Sequence, residues 1–147
     1  MFTRLTYAHI YLMVCLAALC GPLTILASAP ISAEIIAGTW DCVTMIALEN
    51  GKHSGTVRFN PGNIMYTYRA DDSWQMETNL TKTHDKARIN GSFKLHGSEL
   101  ILTKEDGSVY GDFHIELKDD GKTLIMQNEG EIISASRIPP TVKNPVN

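Results

Sequence analysis

The sequence places three potentially reactive polar side chains at alternate positions, Asp112, His114 and Glu116. Side chains two positions apart project from the same face of a strand, so these three could hold a metal ion or act as an acid and base pair. The intervening Phe113 and Ile115 are apolar and would face a core. The polar row would then lie on the solvated face of that strand, where polar side chains belong in any case.

Other chemical signatures are missing from the sequence. His53, His84 and His96 fall in or beside turns at irregular spacing, and no zinc pattern such as His-Glu-x-x-His occurs. No serine lies in a Gly-x-Ser-x-Gly elbow, and there is no Gly-x-Gly-x-x-Gly motif or phosphate-binding loop. We therefore expect no catalytic residues, no bound metal and no cofactor, and we predict that the protein is not an enzyme.

Residues 1–33 have the organisation of an export signal. Arg4 is the only charged residue before Glu34, an apolar stretch fills the middle, and the small residues Ala-Ser-Ala at 27–29 follow it. Cleavage after Ala29 would leave a proline beside the cut, so cleavage after Ala33 is a comparable alternative. The sequence thus predicts a periplasmic or extracellular protein without stable membrane insertion after cleavage. An uncleaved anchor is the other reading, because the uncharged run exceeds the roughly 20 residues that span a bilayer.

Removal of this leader would leave a single domain over residues 34–138. Prolines open the remaining segment, residues 139–147, which is predicted to be a disordered tail. Cys42 is the only cysteine outside the leader, which excludes an internal disulfide and predicts a small buried hydrophobe. The whole chain has 13 basic and 16 acidic residues, and the basic ones are scattered singly. We therefore expect no nucleic-acid binding.

Residues 38–138 alternate apolar and polar side chains in short runs separated by turns rich in Gly, Asn and Asp, which is typical of an antiparallel meander. The turns predict eight or nine strands and no convincing amphipathic helix. Alternation places one apolar face inside; we expect this face to include Val57 and Val109, with Tyr110 on the outside. An all-β sheet of this kind can hide its edges by curling into a barrel or a strongly curled half-barrel. The predicted strands cover residues 38–48, 56–59, 64–70, 74–83, 87–95, 99–104, 109–117, 123–127 and 131–138.

The start of the first strand, Gly-Thr-Trp at 38–40, resembles the Gly-x-Trp signature of lipocalins and the broader calycin group. The segments at 91–95 and 119–124 and the terminal Ser-Arg pair are similar to bacterial lipocalin-like domains. This resemblance covers nearly the whole domain and implies an up-and-down lipocalin-like barrel. It also implies a structural pair at the closed end, in which Arg137 lies across the ring of Trp40 in a cation–π contact of about 0.5–2 kcal/mol.

The interior of such a barrel could hold a ligand. An eight-stranded barrel is either filled by side chains or just wide enough for one small molecule. Aromatic and methionine side chains suit an apolar ligand, and tyrosine hydroxyls add polar groups. The same residues could equally form a packed core, because a small domain needs most of its apolar area for stability. The candidate lining residues are Phe59, Tyr66, Tyr68, Trp74, Met76, Phe93 and Phe113.

Two functions therefore stay open. The first is an exported lipocalin-like binding protein that holds a small apolar or amphipathic ligand in the barrel. The second is a partner-binding envelope protein of the inhibitor or immunity type, with a packed core and no ligand. Its protein partner would meet an outer surface supplied by the acidic turns at 71–72, 105–106 and 119–120. An open interior favours the first function, whereas a dry core with a large exposed patch favours the second.

Overall fold

The computed structural model describes residues 30–80 and 85–140. Most of the predicted leader (1–33) and most of the predicted tail (139–147) therefore lie outside the described residues. Within these ranges no helix is long and apolar enough to cross a membrane. The elements of the described chain are α1 (Ala33–Ile36), β1 (Gly38–Glu49), β2 (Lys52–Arg58), β3 (Ile64–Tyr68), β4 (Ser73–Leu80), β5 (Asp85–His96), β6 (Glu99–Lys104), β7 (Val109–Lys118), β8 (Thr123–Gln127) and β9 (Glu131–Arg137).

The strands form one antiparallel sheet that closes on itself. From β3 to β9, each strand pairs with its neighbour in sequence. β1 pairs with β3 through residues 38–41 and with β9 through residues 40–47, which joins the two ends. The predicted all-β barrel is therefore confirmed, as a closed barrel of eight strands with β2 as an additional strand.

β1 is long enough to pair with two strands along one edge. At its far end, Asn50 and Gly51 have φ of 52° and 72°, as a two-residue type I′ turn requires. This turn places Lys52 opposite Glu49, so β2 begins at Lys52 rather than at residue 56 as predicted. β2 ends before Pro61, and β3 then continues along the same edge of β1.

A β-bulge reverses the expected orientation of side chains at the start of β7. The pairing of β6 with β7 shifts between Leu102 and Thr103, so Tyr110 is an extra residue on the β7 side. Tyr110 packs against the core, whereas Val109 is 63% exposed. The predictions that Val109 lies inside and that Tyr110 lies outside are therefore wrong. An alternating sequence pattern does not show where one strand of a pair contains an extra residue.

The core extends to the end of the barrel where β1 begins. There Ile36 of α1 is fully buried, and Trp40 Nε1 donates a 2.8 Å hydrogen bond to its carbonyl oxygen. The helix was not expected, because four residues are too few to show a helical period. The buried side chains are Ile36, Trp40, Cys42, Ile64, Tyr66, Tyr68, Trp74, Met76, Phe93, Leu100, Leu102, Phe113, Ile115, Leu124, Met126, Ile133 and Ala135.

Candidate functional site

One end of the barrel is closed by Trp40 and Arg137. The guanidinium carbon of Arg137 lies 4.2 Å from the centroid of the Trp40 ring. Its Nε and Nη1 donate 3.0 Å hydrogen bonds to the carbonyl oxygens of Gly121 and Ala37, and Nη2 donates to that of Ile35. A single side chain thus ties together α1, the β7–β8 turn and β9. The geometry gives this pair a structural role.

Most of the lining residues predicted from the sequence belong to a packed layer. Tyr68 and Phe93 meet edge to face with ring centroids 5.5 Å apart, and the Tyr68 hydroxyl donates to Met126 Sδ at 3.2 Å. Phe59 alone among the seven is half-buried. For this layer the packed-core reading of the sequence describes the structure better than the ligand-lining reading. Six of the seven side chains are buried: Tyr66, Tyr68, Trp74, Met76, Phe93 and Phe113.

At the opposite end the inward-facing apolar side chains are incompletely buried. Met45, Phe59 and Ile89 pack only partly against the core. Val57 is 52% exposed, although it lies directly opposite Met45 in the β1–β2 ladder and so shares its face. Met45, Val57, Phe59 and Ile89, together with the half-buried Tyr110, form the open-end surface. Sequence alternation identified Val57 and Phe59 as inward-facing, but it could not show that they stay accessible.

Tyr110 supplies the polar part of the open-end surface. Its ring lies against Trp74 with centroids 5.0 Å apart, and its hydroxyl donates to Met76 Sδ at 3.1 Å. The Tyr110 hydroxyl also has a side-chain hydrogen bond with Tyr66. Because a thioether is a weak acceptor, the hydrogen donated to Met76 could be redirected to a polar group of a ligand. Burial raises the pKa of Tyr110, so the hydroxyl is a neutral donor at physiological pH. The sequence missed this residue because the bulge turns it inward.

Three other titratable groups, Cys42, Tyr66 and Tyr68, lie in the packed core. Burial, followed by the charges of Asp41 and Glu131, raises the pKa of the Cys42 thiol to about 12. The protonated thiol is a poor nucleophile, and Cys42 is buried as the sequence predicted. Burial likewise raises the pKa of Tyr66 and of Tyr68. All three groups are therefore neutral members of the core near pH 7.

The row of Asp112, His114 and Glu116 lies exposed on the outer face of β7. His114 Nδ1 is 3.0 Å from a carboxylate oxygen of Glu99, and Glu116 pairs with Lys118 at 3.4 Å. These are ordinary surface contacts of low energy. Throughout residues 30–80 and 85–140, no three His, Cys, Asp or Glu side chains come together in a metal-binding group. The row is thus a solvated strand face, as the alternation predicts.

The sequence matches no family model and no curated protein. Solved structures are similar to it. A lipocalin-like protein from Bacteroides uniformis gives a TM-score of 0.54 at 14% identity, over 71% of this chain and 99% of that chain. An uncharacterized protein from Bacteroides eggerthii also gives 0.54 at 14% identity, over 70% of this chain and 99% of that one. At this identity the likeness shows the fold alone, and the fold of this chain is lipocalin-like.

Proposed function

We propose that this protein is an exported lipocalin-like binding protein that holds a small apolar or amphipathic molecule at the open-end surface of its barrel. The single observation that carries the proposal is the exposure of an inward-facing apolar side chain at the open end. Toward the closed end, Trp40 and Leu124 are fully buried, whereas at the open end Val57 is 52% exposed. Apolar side chains that face into a barrel and stay accessible can gain free energy by contact with an apolar ligand.

The composition of the open-end surface suits an amphipathic ligand. Met45 is unbranched and polarizable, so it can adapt its shape to different apolar bodies. Phe59 adds an aromatic face, and the Tyr110 hydroxyl offers one hydrogen bond. The packed layer beneath limits the depth that a ligand can reach, because Tyr68 and Met126 already fill the barrel there. We therefore propose shallow binding, with part of the ligand near the rim.

Native mass spectrometry of the protein purified from the envelope of its own host tests this proposal. We expect an extra small-molecule mass that disappears on denaturation, and we expect Val57→Gln to abolish it, because a polar amide would then lie among the apolar contacts. Val109→Gln is the matched control, since Val109 is a similarly exposed valine on the outer face. A bare mass for the unmodified protein, or equal loss in both variants, would contradict the proposal.

One observation favours a partner-binding envelope protein as the second candidate. β2 lies at the end of the strand order and pairs only with β1 within the described part of the chain. Its other edge, Lys52–Arg58, could accept a strand from another protein. Recovery of a stoichiometric protein mass from the same envelope sample, with no small molecule, would support this second function instead.

A further inference from the structure

Glu131 faces the interior of the barrel at the open end. β9 alternates so that Glu131, Ile133 and Ala135 share one face, and the last two are almost completely buried. Glu131 pairs with Ala47 of β1, one alternation beyond the pair formed by Ile133 and Met45. Its side chain is half-buried. Glu131 therefore lies on the inner side of the rim, next to the open-end surface.

The charge of Glu131 affects two other inward-facing groups. Its charge is one of the causes that raise the pKa of the Tyr110 hydroxyl, after burial, and it acts in the same direction on the Cys42 thiol, after burial and Asp41. The charge of Glu131 therefore acts on two inward-facing groups, Tyr110 on β7 and Cys42 on β1.

Glu131 has no cationic partner in the described part of the chain. The ion pairs there join Glu77 with Arg88, Glu99 with His114, and Glu116 with Lys118, all on the outer surface. The backbone N–H of Glu131 donates to Asn128 Oδ1, but this bond leaves the carboxylate oxygens unused. A half-buried carboxylate among apolar side chains loses hydration, and a cation that also donates hydrogen bonds would compensate for this loss.

We infer that the ligand of this barrel carries a cationic, hydrogen-bond-donating head group of the amine class, which binds the Glu131 carboxylate while its apolar body covers the open-end surface. This inference rests on the proposed function and adds the charge of the ligand to it. The Tyr110 hydroxyl lies within reach of the same head group and provides a second polar partner. An anionic head group would meet the repulsion of Glu131 with no basic side chain described beside it.

Three probes that share one alkyl chain test the inference: dodecylamine, dodecanol and dodecanoate, each below its micelle concentration. Displacement of the neutral dye N-phenyl-1-naphthylamine from the purified protein reports their affinities. We expect the amine to bind about tenfold more tightly than the alcohol, as one charge-assisted hydrogen bond allows, and dodecanoate to bind most weakly. In Glu131→Gln the amine should fall to the level of the alcohol, while dodecanol stays within about twofold of its original affinity.

Glu129→Gln is the matched control, because Glu129 carries the same charge two residues away but is exposed in the β8–β9 turn. It should leave the preference for the amine intact. Equal affinities of the unmodified protein for dodecylamine and dodecanol would overturn the inference and leave the proposed function standing. Failure of all three probes to bind would instead overturn the proposed function. Because the comparison of probes on the unmodified protein decides the first point, it does not depend on the folding of any variant.

Discussion

Arg137 combines a cation–π contact with several hydrogen bonds at the closed end of the barrel. Its guanidinium covers the Trp40 ring and donates to three carbonyl oxygens, those of Ile35 in α1, Ala37 just after it, and Gly121 in the β7–β8 turn. Only a planar group with several fixed donors can do both at once. Arg137 therefore holds α1 against β9 at the closed end of the barrel. These contacts join residues about 100 positions apart in sequence.

Replacing Arg137 with lysine should show this directly. We expect Arg137→Lys to lower the free energy of unfolding by about 1–3 kcal/mol, because the donors of a single ammonium nitrogen cannot reproduce the spread of a planar guanidinium over three carbonyl oxygens and the Trp40 ring. Urea unfolding followed by tryptophan fluorescence measures the change. Arg58→Lys, on the exposed part of β2, should stay within about 0.5 kcal/mol of the unmodified protein. Equal effects of the two substitutions would contradict the role assigned to Arg137.

Ionisation of the Cys42 thiol makes the free energy of unfolding depend on pH in the alkaline range. Burial and the neighbouring carboxylates raise the pKa of its thiol from the ordinary value of 9.0 to about 12. In the unfolded chain the thiol ionises from about pH 9, whereas the folded protein keeps it protonated up to about pH 12. Since the folded pKa is the higher one, its contribution to stability is complete below pH 9 and is lost as the pH rises toward 12.

The pH dependence can be isolated with Cys42→Ala. Between pH 9 and pH 10 we expect the free energy of unfolding to fall by about 1 kcal/mol more in the unmodified protein than in the variant, because alanine has no thiol to ionise. Urea unfolding at both pH values gives the two slopes. Tyr66 and Tyr68 are present in both proteins and begin to contribute only above about pH 10. Identical slopes would show that the thiol is not protected by folding.

The sequence predicted the positions of some important residues but not of others. The sequence pointed to Trp40 and Arg137 because a short signature and a late basic residue resemble those of a known family. It pointed to Tyr66 and Tyr68 because they alternate regularly on one strand. The sequence did not predict that Tyr110 faces inward, since its orientation depends on a bulge that only the pairing with β6 reveals.

At the scale of the elements, β4, β5 and β6 depend on the absence of a side chain at Gly91. The Trp74 indole extends from β4 across β5, and its Nε1 donates to the Thr103 carbonyl oxygen of β6 at 3.1 Å. A Cβ atom on Gly91 would lie 1.8 Å from that oxygen and 2.8 Å from the indole nitrogen. Only glycine leaves room for this contact across three strands.

Gly91→Ala should therefore destabilise the barrel. We expect a loss of about 1–3 kcal/mol in the free energy of unfolding, the usual cost of overpacking, because the atom nearest to the new methyl group is backbone. Gly55→Ala on β2 is the control, since nothing lies within 4 Å of its added Cβ. Thermal unfolding of the two variants compares them, and a Gly91→Ala protein as stable as the control would refute this reading of the strand packing.

The elements show what local sequence can and cannot predict. Turn residues located the strands well, because Gly, Asn and Asp mark positions where the chain must reverse. The start of β2 was placed too late, since Asn50-Gly51 allows pairing to resume at once. α1 was missed because its helix is short and is held by tertiary contacts, Trp40 with Ile36 and Arg137 with Ala37.

At the scale of the whole molecule, the two ends of the barrel differ. The closed end is covered by α1 and fixed by Trp40 and Arg137, whereas the open end presents accessible apolar side chains and Glu131 on its inner face. The sequence predicted a barrel and an apolar interior. It could not predict this polarity, because the burial of an inward-facing residue depends on which segments cover each end of the barrel.

The most direct test of the open-end site is methyl NMR of protein labelled with carbon-13 at its methionine methyl groups, titrated with dodecanol. Four of the six methionines lie in the described part of the chain and mark four positions: Met45 and Met76 at or just beneath the open-end surface, Met126 in the packed layer, and Met65 on the outer face of β3. We predict that the Met45 and Met76 signals move while those of Met65 and Met126 stay in place. Movement of Met126 or of Met65 alone, or no movement up to the solubility of the alcohol, would contradict binding at the open end.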